Sequence, residues 1–160
     1  MPAKMSIWGI GPKIFASALG YAMIAGAASY FYPEIFLMTF IPYQVFLVLG
    51  IILLCLGLPM LAVAGRAAAR AFKQNQLATT GIFGVVRNPI YSAWIVFIIP
   101  GLVLFSRSWL ALFTPFIAYL AFKWLIVKEN EYLHERFGRS YDEYRARVGE
   151  IIPLLRFRRK

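Results

Sequence analysis

The chain has 160 residues, 61% of them hydrophobic and 17% aromatic, with a formal net charge of +10. Ordinary globular domains are about half apolar, so one soluble core of this length cannot hide so much apolar surface, and the composition reads as an integral membrane protein. The basic excess does not mark a nucleic-acid binder: Lys and Arg flank apolar runs instead of lining one face, as membrane topology and anionic lipid require.

Four charge-poor segments reach or approach the roughly 20 residues that a helix needs to cross a bilayer core. The first, residues 14–32, carries Gly20, Ala22, Gly26, Ala27 and Ala28, small residues that let a neighbouring helix come close. Lys4 and Lys13 precede it and Ala-Gly-Ala-Ala-Ser closes it in the manner of a secretory signal, but we read it as a retained span. The second, residues 42–63, lies in the charge-free run Ile35 to Gly65, and Gly57 with Pro59 predicts a kink near its cytosolic end. Cys55, the one cysteine, sits in this run, which excludes an intrachain disulfide and offers no metal-ligand spacing. Arg66 to Asn75, an Ala-rich stretch with Arg66, Arg70 and Lys73 at helical spacing, extends this helix into the headgroup zone.

Leu77 to Tyr91 (LATTGIFGVVRNPIY) is a Gly-punctuated loop that opens the third span. Asn88 is expected as its N-cap and Pro89 as its first helical residue, where a missing N–H costs nothing. The third span, residues 89–105, is interrupted by Pro100-Gly101, and only Ser106-Arg107-Ser108 separates it from the fourth, residues 109–127. So short a link predicts a helical hairpin for the last two spans. Lys123 lies near the cytosolic end of the fourth, where it can snorkel.

From Lys128 to Val148, Tyr132, Leu133, Phe137, Tyr141, Tyr144 and Val148 recur at three- to five-residue steps and give one apolar face. Gly138 predicts a break, and Ser140-Tyr-Asp-Glu143 reads as a capping box that restarts a C-terminal interfacial amphipathic helix. Ile151-Ile-Pro153 ends the fold, and Arg156 to Lys160 is a basic tail anchored on anionic lipid. Of 17 Lys and Arg, only Arg107 and Lys123 do not fall clearly on one side. The expectation is a single all-α integral membrane domain over residues 1–160, with about four transmembrane helices and both termini cytosolic, in a cell inner membrane or ER membrane. Residues 66–88 and 128–153 are then its cytosolic elements.

Several chemistries are absent from the pattern. His134 is the one histidine and cannot build a zinc site alone; no GxSxG, GxGxxG or Walker loop occurs. No metal site is expected. The polar constellation that remains is Asn75, Thr79, Thr80, Gly81, Phe83, Arg87, Asn88, Tyr91, Glu129 and Asn130. Spacing alone leaves open a purely structural use, with Asn88-Pro89 capping a helix and Glu129 pairing with a nearby Lys or Arg.

Asn75-Gln-Leu-Ala-Thr-Thr-Gly-Ile-Phe83, Arg87-Asn-Pro-Ile-Tyr91, Glu129-Asn130, Leu133, Phe137-Gly138, Tyr141, Tyr144 and Ile152-Pro153 follow one another in order over about half the chain. This set resembles the integral-membrane methyltransferases, which include isoprenylcysteine carboxyl methyltransferases and phosphatidylethanolamine N-methyltransferases. Their pattern is L-V-x-x-G-x-Y, R-H-P-x-Y, E-E-x-x-L-x-x-x-F-G-x-x-Y-x-x-Y and a terminal I-P. The resemblance implies a cytosolic S-adenosylmethionine pocket built without a Rossmann fold, releasing S-adenosylhomocysteine. Carried over by position, cofactor contacts are Asn75, Gln76, Leu77, Ala78, Phe83, Asn88, Pro89, Ile90, Tyr91 and Glu129, with Glu129, Arg87 and Asn88 as catalytic candidates. Glu129 suits the cofactor's ammonium, Phe83 and Tyr91 its adenosine, and Arg87 either its carboxylate or a lipid headgroup.

Three departures qualify the match. Asn88 replaces the His of R-H-P and cannot titrate, and Asn130 replaces the second Glu. Leu125 stands where prenylcysteine enzymes carry an Arg associated with the substrate carboxylate, leaving Lys123 and Lys128 as candidate substrate-binding residues. The implied partners are membrane lipids and a lipophilic or lipidated acceptor, either isoprenylcysteine-carboxylate-like or a phospholipid amine. The alternatives are a non-catalytic module that binds anionic lipid or a protein partner, and a membrane sterol-type reductase.

Overall fold

The computed structural model describes residues 10–153. Lys4 and the basic tail Arg156 to Lys160 lie outside the described residues. The described chain is all helical, its elements joined by short turns.

Helix α1 (Gly11–Phe31) buries Ile14, Ala18, Ala25 and Ser29 along one narrow stripe. It packs against α6 (Thr114–Phe137) through Ile14 and Ala18, which join Ala118, Phe122 and Ile126 in the core. The close approach therefore uses alanines. Gly20 and Gly26, expected to help make it, lie off this buried stripe and have nothing within 4 Å of where a Cβ would stand.

After the short α2 (Pro33–Phe36) comes α3 (Tyr43–Lys73), in which the second apolar run and its basic extension form one continuous helix through Pro59. At 1.5 Å per residue it is about 46 Å long, enough to cross the core and reach beyond it. Phe46, Gly50, Gly57 and Ala64 are its buried seam. A Cβ at Gly50 would lie 2.8 Å from the Gly101 carbonyl oxygen, and one at Gly57 2.7 Å from Phe97 Cβ, so the partner backbone sits directly on this seam.

That partner is the third expected span, Pro89–Leu104, built from α4 (Pro89–Ser92), a π-helical segment (Ala93–Ile98) and α5 (Ile99–Leu104). Pro100 supplies no N–H and its ring crowds the preceding turn, so the helix widens just before it. This helix is about 24 Å long, short of the roughly 30 Å core. Three helices, Gly11–Phe31, Tyr43–Lys73 and Ala111–Phe137, are long and apolar enough to cross a membrane, and Pro89–Leu104 is a shorter fourth.

At one end of the bundle, Ser29 and Ser108 hydroxyls meet at 2.7 Å, and Met38 N–H donates to the Arg107 carbonyl at 2.9 Å. At the other end α6 stops at Gly138, whose φ of +54° turns the chain at once into α7 (Arg139–Arg147). Gly138 is therefore the residue before α7, and Ser140 lies inside the helix. The expected capping box does not form, since the amides of Tyr141 and Asp142 reach the Gly138 carbonyl at 3.0 and 3.3 Å instead.

Beyond α7 the chain runs back along the start of the third span. Arg87 N–H donates to the Gly149 carbonyl (2.7 Å), Asn88 N–H to that of Glu150 (3.0 Å) and Ser92 Oγ to that of Ile151 (2.8 Å). Residues 149–151 are thus a strap across residues 87–92.

Candidate functional site

The same end of the bundle holds a cavity of about 840 Å³. Five pieces of chain converge on it: the start of α1, the end of α3 and its following loop, the start of the third span, the last turns of α6, and α7. Asn75, Gln76, Leu77, Ala78, Phe83, Asn88, Pro89, Ile90, Tyr91 and Glu129 all line it, as does Arg87.

Each wall has a local cause. Helix α3 ends in a Schellman motif: Asn75 takes φ of +53°, Asn75 N–H donates to the Phe72 carbonyl (3.1 Å) and Gln76 N–H to that of Ala71 (2.9 Å). The turn brings residues 75–78 into the cavity wall. Arg136, from the last turn of α6, donates to Asn75 Oδ1 and to the Tyr132 hydroxyl (2.6 Å), and its guanidinium lies over the Tyr132 and Phe137 rings. The 3₁₀ turn Gly81–Gly84 is pinned from α7, where the Tyr144 hydroxyl donates to the Phe83 carbonyl at 2.6 Å.

Asn88 precedes α4 and Pro89 opens it, as expected, but the Asn88 side chain makes no cap. Its Nδ2 donates to the Glu150 carbonyl at 3.2 Å, drawn off by the strap. Glu129 pairs with no Lys or Arg among the described residues; Tyr91 Oη donates to its Oε2 at 3.0 Å. The Tyr91 ring in turn packs on Phe122, centroids 5.4 Å apart.

Arg87 is the unusual member. Its side chain is only 9% exposed, and its Nη2 lies 3.6 Å from Glu150 Oε1. Nε and Nη1 are buried without a hydrogen-bond partner among the described residues. A buried guanidinium with two idle donors is costly unless an anion meets it, so the cavity suits a ligand with a negative group. Burial also pushes the Tyr141 and Tyr144 phenols above their ordinary range, with the Arg87 charge pulling the other way. Both therefore stay neutral donors near pH 7.

Other expected residues lie elsewhere. Thr79, Thr80 and Gly81 are not in the cavity wall, and Asn130 is buried behind it, accepting the Tyr141 hydroxyl at 2.5 Å. Neither Lys123 nor Lys128 lines the cavity: Lys123 Nζ is held 2.7 Å from Glu150 Oε2, and Lys128 is exposed. Conversely, Ile14, Phe15, Leu61, Trp94, Ile95 and Ile99 form an apolar arm that no motif pointed to. Ala68, Ala69 and Ala71, in the Ala-rich stretch expected as a headgroup extension, are also wall. Its signal was the absence of bulk, which a cavity and a close helix contact both require. No group of three or more metal-ligating side chains occurs among the described residues.

Residues 38–140 match the phospholipid methyltransferase family, well over half the chain. The chain belongs to that family. Three relatives are similar to it: the protein-S-isoprenylcysteine O-methyltransferase of Schizosaccharomyces pombe is 30% identical over 129 residues, 75% of this chain and 54% of the relative. A probable protein-S-isoprenylcysteine O-methyltransferase of Oryza sativa subsp. indica is 23% identical over 89% of this chain and 78% of its own. Protein-S-isoprenylcysteine O-methyltransferase B of Arabidopsis thaliana is 28% identical over 58% and 49%. The chain spans about half the length of the first and third of these. No solved structure matches it. Family and apolar helices together make this an integral membrane protein. As a member of the phospholipid methyltransferase family, it keeps the family match within α3 to the start of α7, while α1 and the strap at 149–151 lie outside it.

Proposed function

We propose that this protein is an S-adenosylmethionine-dependent methyltransferase acting on a lipophilic acceptor dissolved in the membrane. The carrying observation is one continuous cavity whose polar end has Arg87, with its idle buried donors, and Glu129, and whose other arm is apolar. The family and the names of the relatives support the reaction class.

The residues present fit the cofactor. Arg87 takes its carboxylate and Glu129 its ammonium, two charge-assisted contacts of opposite sign that fix its direction. Phe83 and Tyr91 flank the nucleoside, and residues 75–78 cover it from the water side. When bound, the cofactor supplies an electrophilic methyl group on a sulfonium and leaves as S-adenosylhomocysteine. The chain's own part is to hold both reactants in line and keep water out, and proximity alone is worth about 7–11 kcal/mol in favourable cases. Asn88, whose amide is committed to the strap, orients the helix start and moves no proton. Glu129 is the one carboxylate placed to take a proton from an amine acceptor; a carboxylate acceptor needs none.

The acceptor reaches the reacting end along the apolar arm, and an isoprenylcysteine-like or phospholipid group suits that lining. The cavity mouth and both termini face the cytosol, on the strength of the basic excess at that end. Incubating the purified protein with a lipid extract of its host and radiolabelled S-adenosylmethionine tests the proposal. Label moving into a lipid-soluble product is expected, and no transfer to any extracted or prenylcysteine acceptor by folded protein would count against it.

A further inference from the structure

Arg87 stands on a loop, and its long side chain needs something to aim it. Among the described residues, Glu150 is the acidic side chain within reach of it. Glu150 Oε1 lies 3.6 Å from Arg87 Nη2, while Glu150 Oε2 lies 2.7 Å from Lys123 Nζ. The Glu150 backbone is fixed as well, because its carbonyl accepts from both Asn88 N–H and Asn88 Nδ2, at 3.0 and 3.2 Å. A carboxylate held at both ends is a rigid stop for a guanidinium.

The charges matter as much as the distances. A close Arg87–Glu150 pair on its own would neutralise the cation and weaken its pull on a ligand anion. Lys123 draws the carboxylate to itself, so the cluster carries two positive charges against one negative. Arg87, which lines the cavity, is thereby oriented, and its Nε and Nη1 have no partner among the described residues.

We propose that Glu150, held by Lys123 from α6, is a positioning residue that aims Arg87 at the carboxylate of the bound cofactor. This rests on the cofactor reading above. It also gives the strap a task in the site, although residues 149–151 lie outside the stretch that matches the family.

The test is calorimetric titration of the full chain in detergent micelles with two ligands, S-adenosylhomocysteine and methylthioadenosine, which shares the nucleoside sulfide but lacks the amino-acid group. Glu150→Gln is expected to weaken S-adenosylhomocysteine binding about tenfold and leave methylthioadenosine unchanged, the size expected for one charge-assisted contact. Glu150→Asp should restore part of the loss, and in an Arg87→Met background Glu150→Gln should add nothing further. Equal S-adenosylhomocysteine affinity in wild type and Glu150→Gln overturns the inference and leaves the cofactor reading standing. Equal weakening of both ligands assigns Glu150 a merely structural role and also overturns it. Wild-type protein that binds neither ligand sinks the cofactor reading itself.

Discussion

Tyr91 Oη donates to Glu129 Oε2 across 3.0 Å, tying the start of the third span to the end of the last one at the cavity wall. The bond holds one carboxylate oxygen of Glu129 and so restricts how the carboxylate is presented to the cavity. Tyr91→Phe removes the donor but keeps the ring that packs on Phe122. Binding of S-adenosylhomocysteine is expected to weaken about tenfold, roughly 1.4 kcal/mol, with the melting temperature little changed. Isothermal titration and thermal unfolding of the same samples check both parts.

The helix seam makes a prediction about stability alone. At Gly57 a Cβ would meet Phe97 Cβ at 2.7 Å and Ile98 Cγ1 at 2.8 Å, and at Gly50 it would meet the Gly101 carbonyl oxygen at 2.8 Å. Overpacking of this kind costs about 1–3 kcal/mol. Gly50→Ala and Gly57→Ala should each lower stability by that order in detergent unfolding. Gly20→Ala and Gly26→Ala, with nothing within 4 Å, should not.

Tyr144 predicts local order. Its hydroxyl holds the Phe83 carbonyl at 2.6 Å, and with it the 3₁₀ turn Gly81–Gly84. Tyr144→Phe should speed hydrogen exchange of the amides of residues 81–86 while those in α3 keep their protection.

Much of this arrangement was legible in the chain's order of residues, and the misses share a cause. Helix limits, the Gly138 break and the Asn88-Pro89 helix start follow from local chemistry, which acts over a few residues. The strap does not. Its hydrogen bonds join Asn88 to Glu150 and Ser92 to Ile151, and no local pattern announces a pairing 62 or 59 residues apart. Local pattern therefore predicts a side-chain cap at Asn88 and a snorkelling cation at Lys123, where the strap engages both. The local pattern marks α7 as an interfacial amphipathic helix but not what its apolar face covers: Tyr141 and Tyr144 are buried against the rest of the chain, at 2% and 4% exposure.

A pH dependence follows from those two tyrosines. Burial raises both phenols above the ordinary value of 10.0 in the folded chain. The unfolded chain therefore loses these protons first as pH rises, so the folded state binds more protons and its stability falls with pH. The contribution is whole below pH 10 and declines above it. Unfolding followed from pH 8 to 11 should show that decline, and Tyr141→Phe with Tyr144→Phe should flatten it.

The proposed function has Arg87 and Glu129 each hold one charged end of the cofactor's amino-acid group. Titration of the purified protein with S-adenosylhomocysteine, beside Glu129→Ala and Arg87→Met, measures this most directly. Saturable binding by the wild type is expected, weakened about tenfold or more by each substitution. Folded wild-type protein that takes up no S-adenosylhomocysteine, or variants that bind it as tightly as the wild type, would contradict it.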